Sequence, residues 1–307
     1  MNNNNPLIFG PVNSRRFGIS LGIDLSPSFK QCNFDCLYCE LSAAKTMDKY
    51  DDVVSVQEIS SSIKRALKEH GDIDFITLTA NGEPTLYPYL SELIDDINTF
   101  KGNTKTLILT NAANIDDIQI QDSLLKLDEV KLSLDCATQK CLQKLDRSHQ
   151  GINIEDIKSG MLAFKAKYKG PLIIEILIVK TLNDSQEEIA KLNAYLLKLN
   201  PTRIDISSID RPPAYEVQAL NYASLLEVSH LFDSSLPIYI ASRKKADMLA
   251  SSYSADAILE TLDKRPLTEE DIEALFDEKS KDRLQNLLKK DKIKLVSTNG
   301  VEFYKKA

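Results

Sequence analysis

The sequence predicts an α/β protein: a partial, TIM-like (β/α)6 barrel followed by a small winged-helix-like domain. Short apolar stretches alternate with amphipathic helical patterns from residue 17 to about 240. Strands that alternate with helices indicate parallel βαβ units, and about six units fall short of a closed eight-fold barrel. From about residue 253 the pattern changes, so we predict one domain over 1–250 and a second over 251–307.

Seven apolar stretches have the length and composition of buried strands. They cover residues 17–25, 74–80, 105–110, 129–135, 172–179, 203–209 and 237–242. The helical patterns between them cover residues 56–70, 87–100, 115–126, 153–168 and 185–199, with Ser185 in the position of an N-cap. Ligands of such folds bind where parallel strands end in loops, so we expect functional side chains directly after the strands.

The C-terminal region has the pattern of three helices and a hairpin. Residues 255–276 predict a helix, a turn and a second helix, with Thr268 as the cap of an acidic first turn. Residues 281–306 predict a further helix and a β-hairpin, whose turn is Asn299-Gly300. This order of elements is typical of a winged helix.

Charge and composition exclude several classes of protein. The net charge of −7 gives the chain no global attraction to nucleic acid or to anionic membranes. Residues 279–307 are locally basic, with nine Lys or Arg against three acids. The stretch MNNNNPLIFG lacks the pattern of a signal peptide, and the longest apolar run, 171–179, is too short to span a bilayer. Five cysteines do not indicate a disulfide scaffold, so we expect a cytoplasmic protein.

Three of the five cysteines, Cys32, Cys36 and Cys39, lie within the stretch QCNFDCLYCE, directly after the first predicted strand. The spacing C-x3-C-x2-C lets one loop place three thiolates around one metal centre. A structural zinc site usually has four ligands, and an electron-transfer iron–sulfur cluster also takes four. Three cysteines leave one iron of a [4Fe–4S] cluster without a protein ligand, which is the open position that a catalytic centre needs. Cys136 and Cys141 do not make a second cluster, and we expect small buried residues there.

This cysteine motif, with the aromatic Tyr38 before its last cysteine, resembles the signature of the radical S-adenosylmethionine (radical SAM) superfamily. The flanking GPVNSRRFGISLGIDLSPSFKQCNFDCLYC resembles one branch of it, the iron–sulfur oxidoreductases related to wyosine-forming tRNA enzymes. The resemblance covers about residues 6–240 and implies a partial barrel of the radical SAM type. It also implies that Cys32, Cys36 and Cys39 hold a [4Fe–4S] cluster, that SAM binds the fourth iron, and that a flavodoxin- or ferredoxin-like protein supplies electrons.

The stretch GEPTL, which contains Gly82 and Glu83, follows the second predicted strand. Taken alone it is an ordinary turn. The resemblance places it at the amino group of SAM, with Asn81 where a first glycine is more usual, and it places Tyr38 near the adenine. A carboxylate and loop carbonyls are suitable acceptors for an ammonium group.

Two further strand ends carry polar residues that are candidates for cofactor contacts. Thr110-Asn111 ends the third strand, and Ser133-Leu134-Asp135 ends the fourth. Both could equally be strand-to-loop transitions or helix caps. The resemblance implies that Asn111 faces the cofactor and that Ser133 and Asp135 lie near the ribose or carboxylate of SAM.

Two charged stretches are candidates for the substrate side of the site. DRPPAYE at 210–216 follows the sixth strand, and similar segments recur at this place in the resembling branch, which favours Asp210 and Arg211. Arg15 and Arg16 lie near the first strand, and adjacent arginines can clamp a phosphate or carboxylate. Both stretches are also compatible with surface ion pairs of little energetic weight.

The leading hypothesis is therefore a radical SAM enzyme that cleaves SAM reductively to a 5′-deoxyadenosyl radical and abstracts hydrogen from an unidentified substrate. A tRNA substrate is possible but not favoured, because no cysteine precedes Cys32 to hold a second cluster and the chain is acidic. The alternative hypothesis is an iron–sulfur redox-sensing regulator whose winged helix binds nucleic acid. A zinc-binding barrel is the third, and it requires a fourth ligand.

Overall fold

The computed structural model describes residues 7–14, 17–240, 252–264, 266–298 and 301–307. Its main body is an eight-stranded sheet whose strands follow chain order from β1 to β8. The strands are β1 (Ile8–Ser14), β2 (Gly18–Asp24), β3 (Phe75–Thr79), β4 (Lys105–Thr110), β5 (Glu129–Ser133), β6 (Leu172–Ile178), β7 (Arg203–Ser208) and β8 (Ile238–Ile240). β1 is antiparallel to β2, and each later strand is parallel to its neighbour. The sheet is therefore mostly parallel.

Helices connect the parallel strands. They are α1 (Val56–His70), α2 (Leu90–Phe100), α3 (Ile118–Leu124), α4 (Gln139–Leu145), α5 (Ile154–Lys167), α6 (Gln186–Leu199) and α7 (Tyr222–Ser229). Each strand from β2 to β7 is followed by at least one helix, which gives six βα units before β8 and confirms the number that the sequence predicts. All seven predicted strands are present, whereas β1, α4 and α7 were not predicted.

The parallel strands bury apolar side chains, and β6 is the one with a nearly continuous apolar run, LIIEILI. In β6, for example, Ile174, Ile176 and Ile178 are fully buried. The helices are amphipathic instead: α2 buries Leu93 and Ile97 against the sheet and exposes its acidic face. Because the strands from β2 to β8 run parallel, their carboxyl ends lie along one edge of the sheet, where the loops meet.

Side-chain caps determine where several helices begin. The Ser185 hydroxyl accepts a hydrogen bond from the Glu188 backbone N–H and caps α6, as the sequence predicts. Thr138 caps α4 in the same way by accepting from the Cys141 N–H. Both helices begin close to strand ends, so the caps also fix the loops that precede them.

The C-terminal region contains α8 (Ala255–Lys264), α9 (Glu269–Leu275) and α10 (Glu278–Lys289). A three-stranded sheet of β9 (Leu267–Thr268), β10 (Ile293–Thr298) and β11 (Val301–Lys306) accompanies them, in the order β10-β11-β9. The three helices and the paired strands β10 and β11 agree with the prediction. Thr268 belongs to β9 and directly precedes α9, and the Asn299-Gly300 turn lies outside the described residues.

The C-terminal region has a hydrophobic cluster of its own. Ile258, Leu262 and Phe276 are fully buried in it and belong to a set separate from the core of the large sheet. Within the described residues, a hydrogen bond joins the two regions, from the Tyr253 hydroxyl to the Pro11 carbonyl oxygen at 3.0 Å. Over the described residues, no helix combines the length and apolar character needed to cross a membrane.

Candidate functional site

The three clustered cysteines lie on the loop between β2 and α1, which we call the cysteine loop (residues 25–55). All three thiols are free and partly buried. The loop is ordered by its own hydrogen bonds: the Met47 N–H donates to the Cys32 carbonyl at 2.8 Å, and the Cys39 N–H donates to the Cys36 carbonyl at 3.1 Å. The thiols therefore stand at the carboxyl end of β2, where the sequence predicts them.

The GEPTL loop after β3 is joined to the cysteine loop through backbone hydrogen bonds. The Gln31 N–H donates to the Asn81 carbonyl, and the Glu83 N–H donates to the Gln31 carbonyl, both at 2.9 Å. Gly82 lies between these bonds with φ +143°, and a Cβ added there would lie 1.9 Å from the Gln31 carbonyl oxygen. Only glycine permits this approach, so Gly82 is required for the contact between the two loops.

Gln31 holds the cysteine loop on its other side as well. Its buried amide donates to the Ser26 hydroxyl and to the Asp52 carbonyl, each at 2.9 Å, and its oxygen accepts from the Asp51 N–H at 2.7 Å. The sequence does not predict a role for this residue, because a glutamine before a cysteine carries no signal of its own. Its importance depends on segments that are distant in the chain.

Glu83 is buried and accepts hydrogen bonds through both carboxylate oxygens. Oε1 accepts from the Thr85 N–H at 2.9 Å and from the hydroxyls of Thr85 and Thr110 at 2.7 and 2.5 Å. Oε2 accepts from the Asn111 N–H at 2.8 Å and has capacity for a further donor. Burial raises the pKa of Glu83, while these hydrogen bonds oppose that rise. Glu83 thus links the ends of β3 and β4 beside the cysteine loop.

Asn111 links β4 to the cysteine loop. Its side-chain Nδ2 donates to Asn33 Oδ1 at 2.7 Å and lies 3.8 Å from the Cys32 sulfur. A hydrogen bond from an amide favours the thiolate form of a cysteine that ligates a metal. The structure therefore brings this predicted cofactor residue to one of the predicted ligands.

Tyr38 and Asp135 join the cysteine loop to the end of β5. The Tyr38 hydroxyl donates to Asp135 Oδ2, and the Leu177 N–H donates to Asp135 Oδ1 at 2.6 Å. The Asn183 amide donates to the Asp135 carbonyl at 2.9 Å, so β6 and the loop after it also hold this residue. Burial is the main cause that raises the pKa of Asp135, and its bond from Tyr38 lowers it.

A small cavity of about 20 Å³, with room for about one water molecule, lies beside these side chains. Its polar lining comes from Tyr38, Asn111, Ser133, Asp135 and Asp146, and its other lining residues are Phe34, Leu134, Cys136, Leu142, Ile154 and Ile157. Four of the six predicted cofactor residues therefore border one space.

Asp146 was not predicted. It is buried at the end of α4, and its Oδ1 has no hydrogen-bond partner among the described residues. Burial and the neighbouring Asp135 raise its pKa. A polar residue just after a short helix carries no sequence signal, so only the tertiary contacts identify it.

The electrostatic environment of the three thiols disfavours thiolates unless a cation is present. Burial is the largest cause in each case: it raises the pKa of Cys32 to about 12, with Glu83 adding to the effect. It likewise raises the pKa of Cys36 and of Cys39. A bound metal centre supplies the positive charge that keeps such thiols deprotonated.

The arrangement of the donors fits a multi-iron cluster better than a single zinc ion. A Zn–S bond of about 2.3 Å brings tetrahedral ligand sulfurs within about 4 Å of one another. Across the described residues, the one group of three His, Cys, Asp or Glu with ligand atoms within 4.8 Å is Cys136, Cys141 and Glu188. At least one pair of the cysteine loop's sulfurs is therefore more than 4.8 Å apart, which leaves room for a group larger than a single ion.

Cys136 and Cys141 are buried, as the sequence predicts, but they form a disulfide, which it does not predict. Glu188 of α6 lies against them and accepts from the Ala137 and Thr138 N–H groups at 2.6 and 2.9 Å. These contacts fix the start of α4 directly after Asp135.

Of the four predicted substrate-side residues, the structure describes two. Arg15 and Arg16 lie outside the described residues. The loop that contains Asp210 and Arg211 packs on the cysteine loop: Arg211 Nη1 lies 3.4 Å from Glu40 Oε2, and the Ala214 N–H donates to the Cys39 carbonyl at 2.9 Å.

A mostly parallel α/β sheet with a C-x3-C-x2-C loop after its first parallel strand defines the class of a radical SAM protein. Residues 26–192 match the family model described as "Radical SAM superfamily", and the chain belongs to that superfamily. It is 39% identical over 303 residues to a UPF0026 protein of Helicobacter pylori, and the match covers 98% of both chains.

Solved structures share the fold. A radical SAM methyltransferase from Sphaerobacter thermophilus superposes with a TM-score of 0.57 at 13% identity, covering 73% of this chain and 67% of that one. SuiB of Streptococcus suis, crystallised with S-adenosylmethionine, gives 0.51 at 21% identity, covering 70% of this chain and 43% of that one. Membership of the superfamily makes the protein a radical SAM enzyme with a [4Fe–4S] cluster and SAM as cofactors, as the sequence predicts.

Proposed function

We propose that Cys32, Cys36 and Cys39 hold the [4Fe–4S] cluster and that the enzyme abstracts hydrogen from a substrate still to be identified. When bound, the cluster and SAM supply a 5′-deoxyadenosyl radical, which is the reactive species. The observation that carries the proposal is the set of three free thiols, with at least one pair of sulfurs more than 4.8 Å apart, on a loop that the GEPTL segment holds in place.

The proposed SAM contacts are the side chains that converge on this loop. Glu83 Oε2 accepts a hydrogen bond from the SAM ammonium, and the carbonyls next to Gly82 add acceptors. Ser133 and Asp135 face the ribose or carboxylate, and Asn111 lies between this region and Cys32. Tyr38 packs near the adenine, in an orientation that its bond to Asp135 fixes.

The apolar part of the cavity has a separate role in the proposal. Phe34, Leu142, Ile154 and Ile157 line it and limit the number of water molecules beside the reacting groups. Excluding water protects a reactive radical from side reactions. The cavity is therefore suited to chemistry that solvent would quench.

Radical SAM enzymes need an external electron donor and a substrate, and we propose a flavodoxin- or ferredoxin-like donor. We place the substrate beside Asp210 and Arg211, with Arg15 and Arg16 as further candidates. Both described residues lie on the loop that packs against the cysteine loop, which supports this assignment. A tRNA substrate remains the less favoured version, and the proposed location of the enzyme is the cytoplasm.

We also propose that the large sheet curves into a partial barrel over residues 1–250 and that residues 251–307 form a winged-helix domain. Six βα units followed by a last parallel strand support the first part. The separate hydrophobic cluster and the three-stranded sheet of the C-terminal region support the second.

Anaerobic reconstitution with iron, sulfide and a reductant tests the proposed function. We expect the wild type to convert SAM to 5′-deoxyadenosine and methionine, and Cys36→Ala to lose both the cluster and this activity. The matched control is the Cys136→Ser, Cys141→Ser double variant, which removes two other cysteines and should retain the cluster. A fully reconstituted wild type that forms no 5′-deoxyadenosine would contradict the proposal.

The same preparation separates the enzyme from the alternative regulator. A sensor does not need a GEPTL loop fixed to its cysteine loop, so this contact favours the enzyme. Binding of duplex DNA that changes with the redox state of the cluster would favour the regulator. Binding of tRNA that weakens as salt rises would favour the tRNA version.

A further inference from the structure

A buried cation lies on the cysteine loop, close in sequence to the proposed metal ligands. The side chain of Lys30, two residues before Cys32, is only 7% exposed, and its Nζ lies 3.2 Å from Asp35 Oδ1. Removing an ammonium from water has a free-energy cost that persists after the protein relaxes. A lysine in this position therefore needs a compensating interaction, and the Asp35 carboxylate is only part of it.

Asp35 is shared between two cations. Its Oδ2 lies 3.3 Å from Arg147 Nη1 and accepts the Tyr215 hydroxyl at 2.5 Å, while the Ala44 N–H donates to Oδ1 at 3.3 Å. Two cations on one carboxylate leave the group of Lys30, Asp35 and Arg147 with one excess positive charge. Arg147 is 44% exposed, so solvent screens its charge, and Lys30 is the buried member.

Lys30 is electrostatically coupled to the cysteines. Burial is the largest influence on the pKa of Cys39 and raises it, but Lys30 is the strongest of the charges that act on this thiol and lowers it. The opposing effect of Asp35 on Cys39 is weaker. Lys30 also lowers the pKa of Cys32, although Glu83 raises it to a greater extent. Lys30 and Asp35 lie on the loop that carries the ligands, two residues before Cys32 and one residue before Cys36, so their ion pair places a buried positive charge within this loop.

We propose that Lys30, held in place by Asp35, raises the reduction potential of the cluster bound at Cys32, Cys36 and Cys39. The inference rests on the proposed function. The external donor gives the cluster one electron, so the charge of the cluster with its thiolates becomes more negative by one. A nearby buried cation stabilises the more negative state to a greater extent, which makes reduction easier. Lys30 is then a positioning residue for electron transfer, because it contacts neither SAM nor substrate in this role.

A redox titration of the reconstituted protein, followed by electron paramagnetic resonance, tests the inference. Lys30→Met removes the charge and retains most of the side-chain volume, and we expect a more negative midpoint potential. Asp35→Asn removes the opposing charge, and we expect a less negative one. Lys30→Arg keeps the charge, and Lys45→Met changes an exposed lysine of the same loop, so both should stay close to the wild type. Iron and sulfide content establishes that each variant carries a complete cluster.

The opposite signs expected for Lys30→Met and Asp35→Asn make the test decisive. Equal potentials in the wild type, Lys30→Met and Lys45→Met overturn the inference. If Lys30→Met does not assemble a cluster, the midpoint potential of Asp35→Asn is the test. A potential equal to that of the wild type, or more negative, then overturns the inference. If every variant carries a complete cluster and the midpoint potentials do not change with these charges, the inference is wrong and the proposed function stands. If the wild type binds no cluster, the inference and the proposed function are both wrong.

Discussion

Gly82 is the residue at which the two loops of the site come closest. Its positive φ and the 1.9 Å between an added Cβ and the Gln31 carbonyl oxygen leave no room for a side chain. Because hydrogen bonds on both sides of Gly82 reach Gln31, one backbone position determines how the GEPTL loop lies relative to Cys32.

Gly82→Ala should therefore separate the loops. We expect a loss of about 2 kcal/mol or more in the free energy of unfolding, because backbone atoms must move. We also expect a lower iron content after reconstitution. Gly102→Ala is the matched control: Gly102 also has a positive φ, but an added Cβ meets nothing within 4 Å. That control should cost only about 1 kcal/mol and leave the iron content unchanged. Equal effects at the two glycines would show that the loop contact is unimportant.

Glu83→Gln tests the buried carboxylate. The NH2 group of the glutamine cannot accept a hydrogen bond. In either orientation of the amide, this group replaces a Glu83 oxygen that accepts hydrogen bonds in the wild type, so those donors lose their acceptor. We expect a loss of roughly 3 kcal/mol, measured by urea denaturation, and weaker SAM binding. Glu92→Gln, on the exposed face of α2, makes the same chemical change without burial. The prediction is wrong if both variants unfold at the same urea concentration.

The sequence allowed prediction of residues whose meaning depends on local spacing. The three proposed ligands lie within a stretch of eight residues, and Glu83, Asn111 and Asp135 follow strands that were predicted from their apolar pattern. Gln31, Asp35 and Asp146 could not be predicted, because their roles arise from loops that are distant in sequence. Asp35, for example, meets Arg147 and Tyr215, 112 and 180 positions away.

At the scale of elements, three segments bond to the cysteine loop in addition to the ends of β4 and β5. Besides the GEPTL loop, the segment after α4 contributes backbone bonds: the Leu37 N–H donates to the Leu145 carbonyl at 2.9 Å, and the His149 N–H donates to the Asn33 carbonyl at 2.7 Å. The loop at 210–216 adds the bonds to Cys39 and Asp35. A loop fixed on three sides can present metal ligands in a stable geometry without secondary structure of its own.

Tyr215→Phe should loosen one of these three attachments. It removes the hydrogen bond to Asp35 but keeps the ring on which the Arg147 guanidinium stacks at 4.8 Å. We expect faster hydrogen exchange in residues 210–216 and in the cysteine loop, with the rest of the sheet unaffected. Tyr239→Phe, at a largely exposed tyrosine of β8, is the control and should change neither segment. Unchanged exchange in Tyr215→Phe would contradict the attachment.

The elements that the sequence analysis missed are short. α4 has seven residues and α7 has eight, about two turns each, which is too few for the helical periodicity to stand out. β1 contains Gly10 and Pro11, which argue against a strand in the sequence, and it occurs at the edge of the sheet, where such residues are tolerated. Long elements with a complete apolar face were predicted correctly, because the side chains that pack in the core are the ones that form the apolar pattern in the sequence.

At the scale of the whole molecule, the chain has two principal hydrophobic cores. Leu93 is fully buried in the core of the large sheet, and Leu262 is fully buried in the C-terminal cluster. The hydrogen bond from Tyr253 to Pro11 joins the two regions. Separate cores favour separate cooperative unfolding, which is what the proposed domain boundary near residue 250 implies.

Two matched core substitutions test that boundary. Leu93→Ala and Leu262→Ala each remove the same fully buried side chain, at an expected cost of about 2–5 kcal/mol to the region that contains it. Calorimetry of the reconstituted protein should show two transitions, and cluster absorbance should follow only one of them. We expect Leu93→Ala to lower the cluster-linked transition and Leu262→Ala to lower the other, because the thiols belong to the large sheet's region. A single transition that both substitutions shift equally, together with loss of the cluster, would mean that the chain unfolds as one unit and that the proposed boundary is wrong.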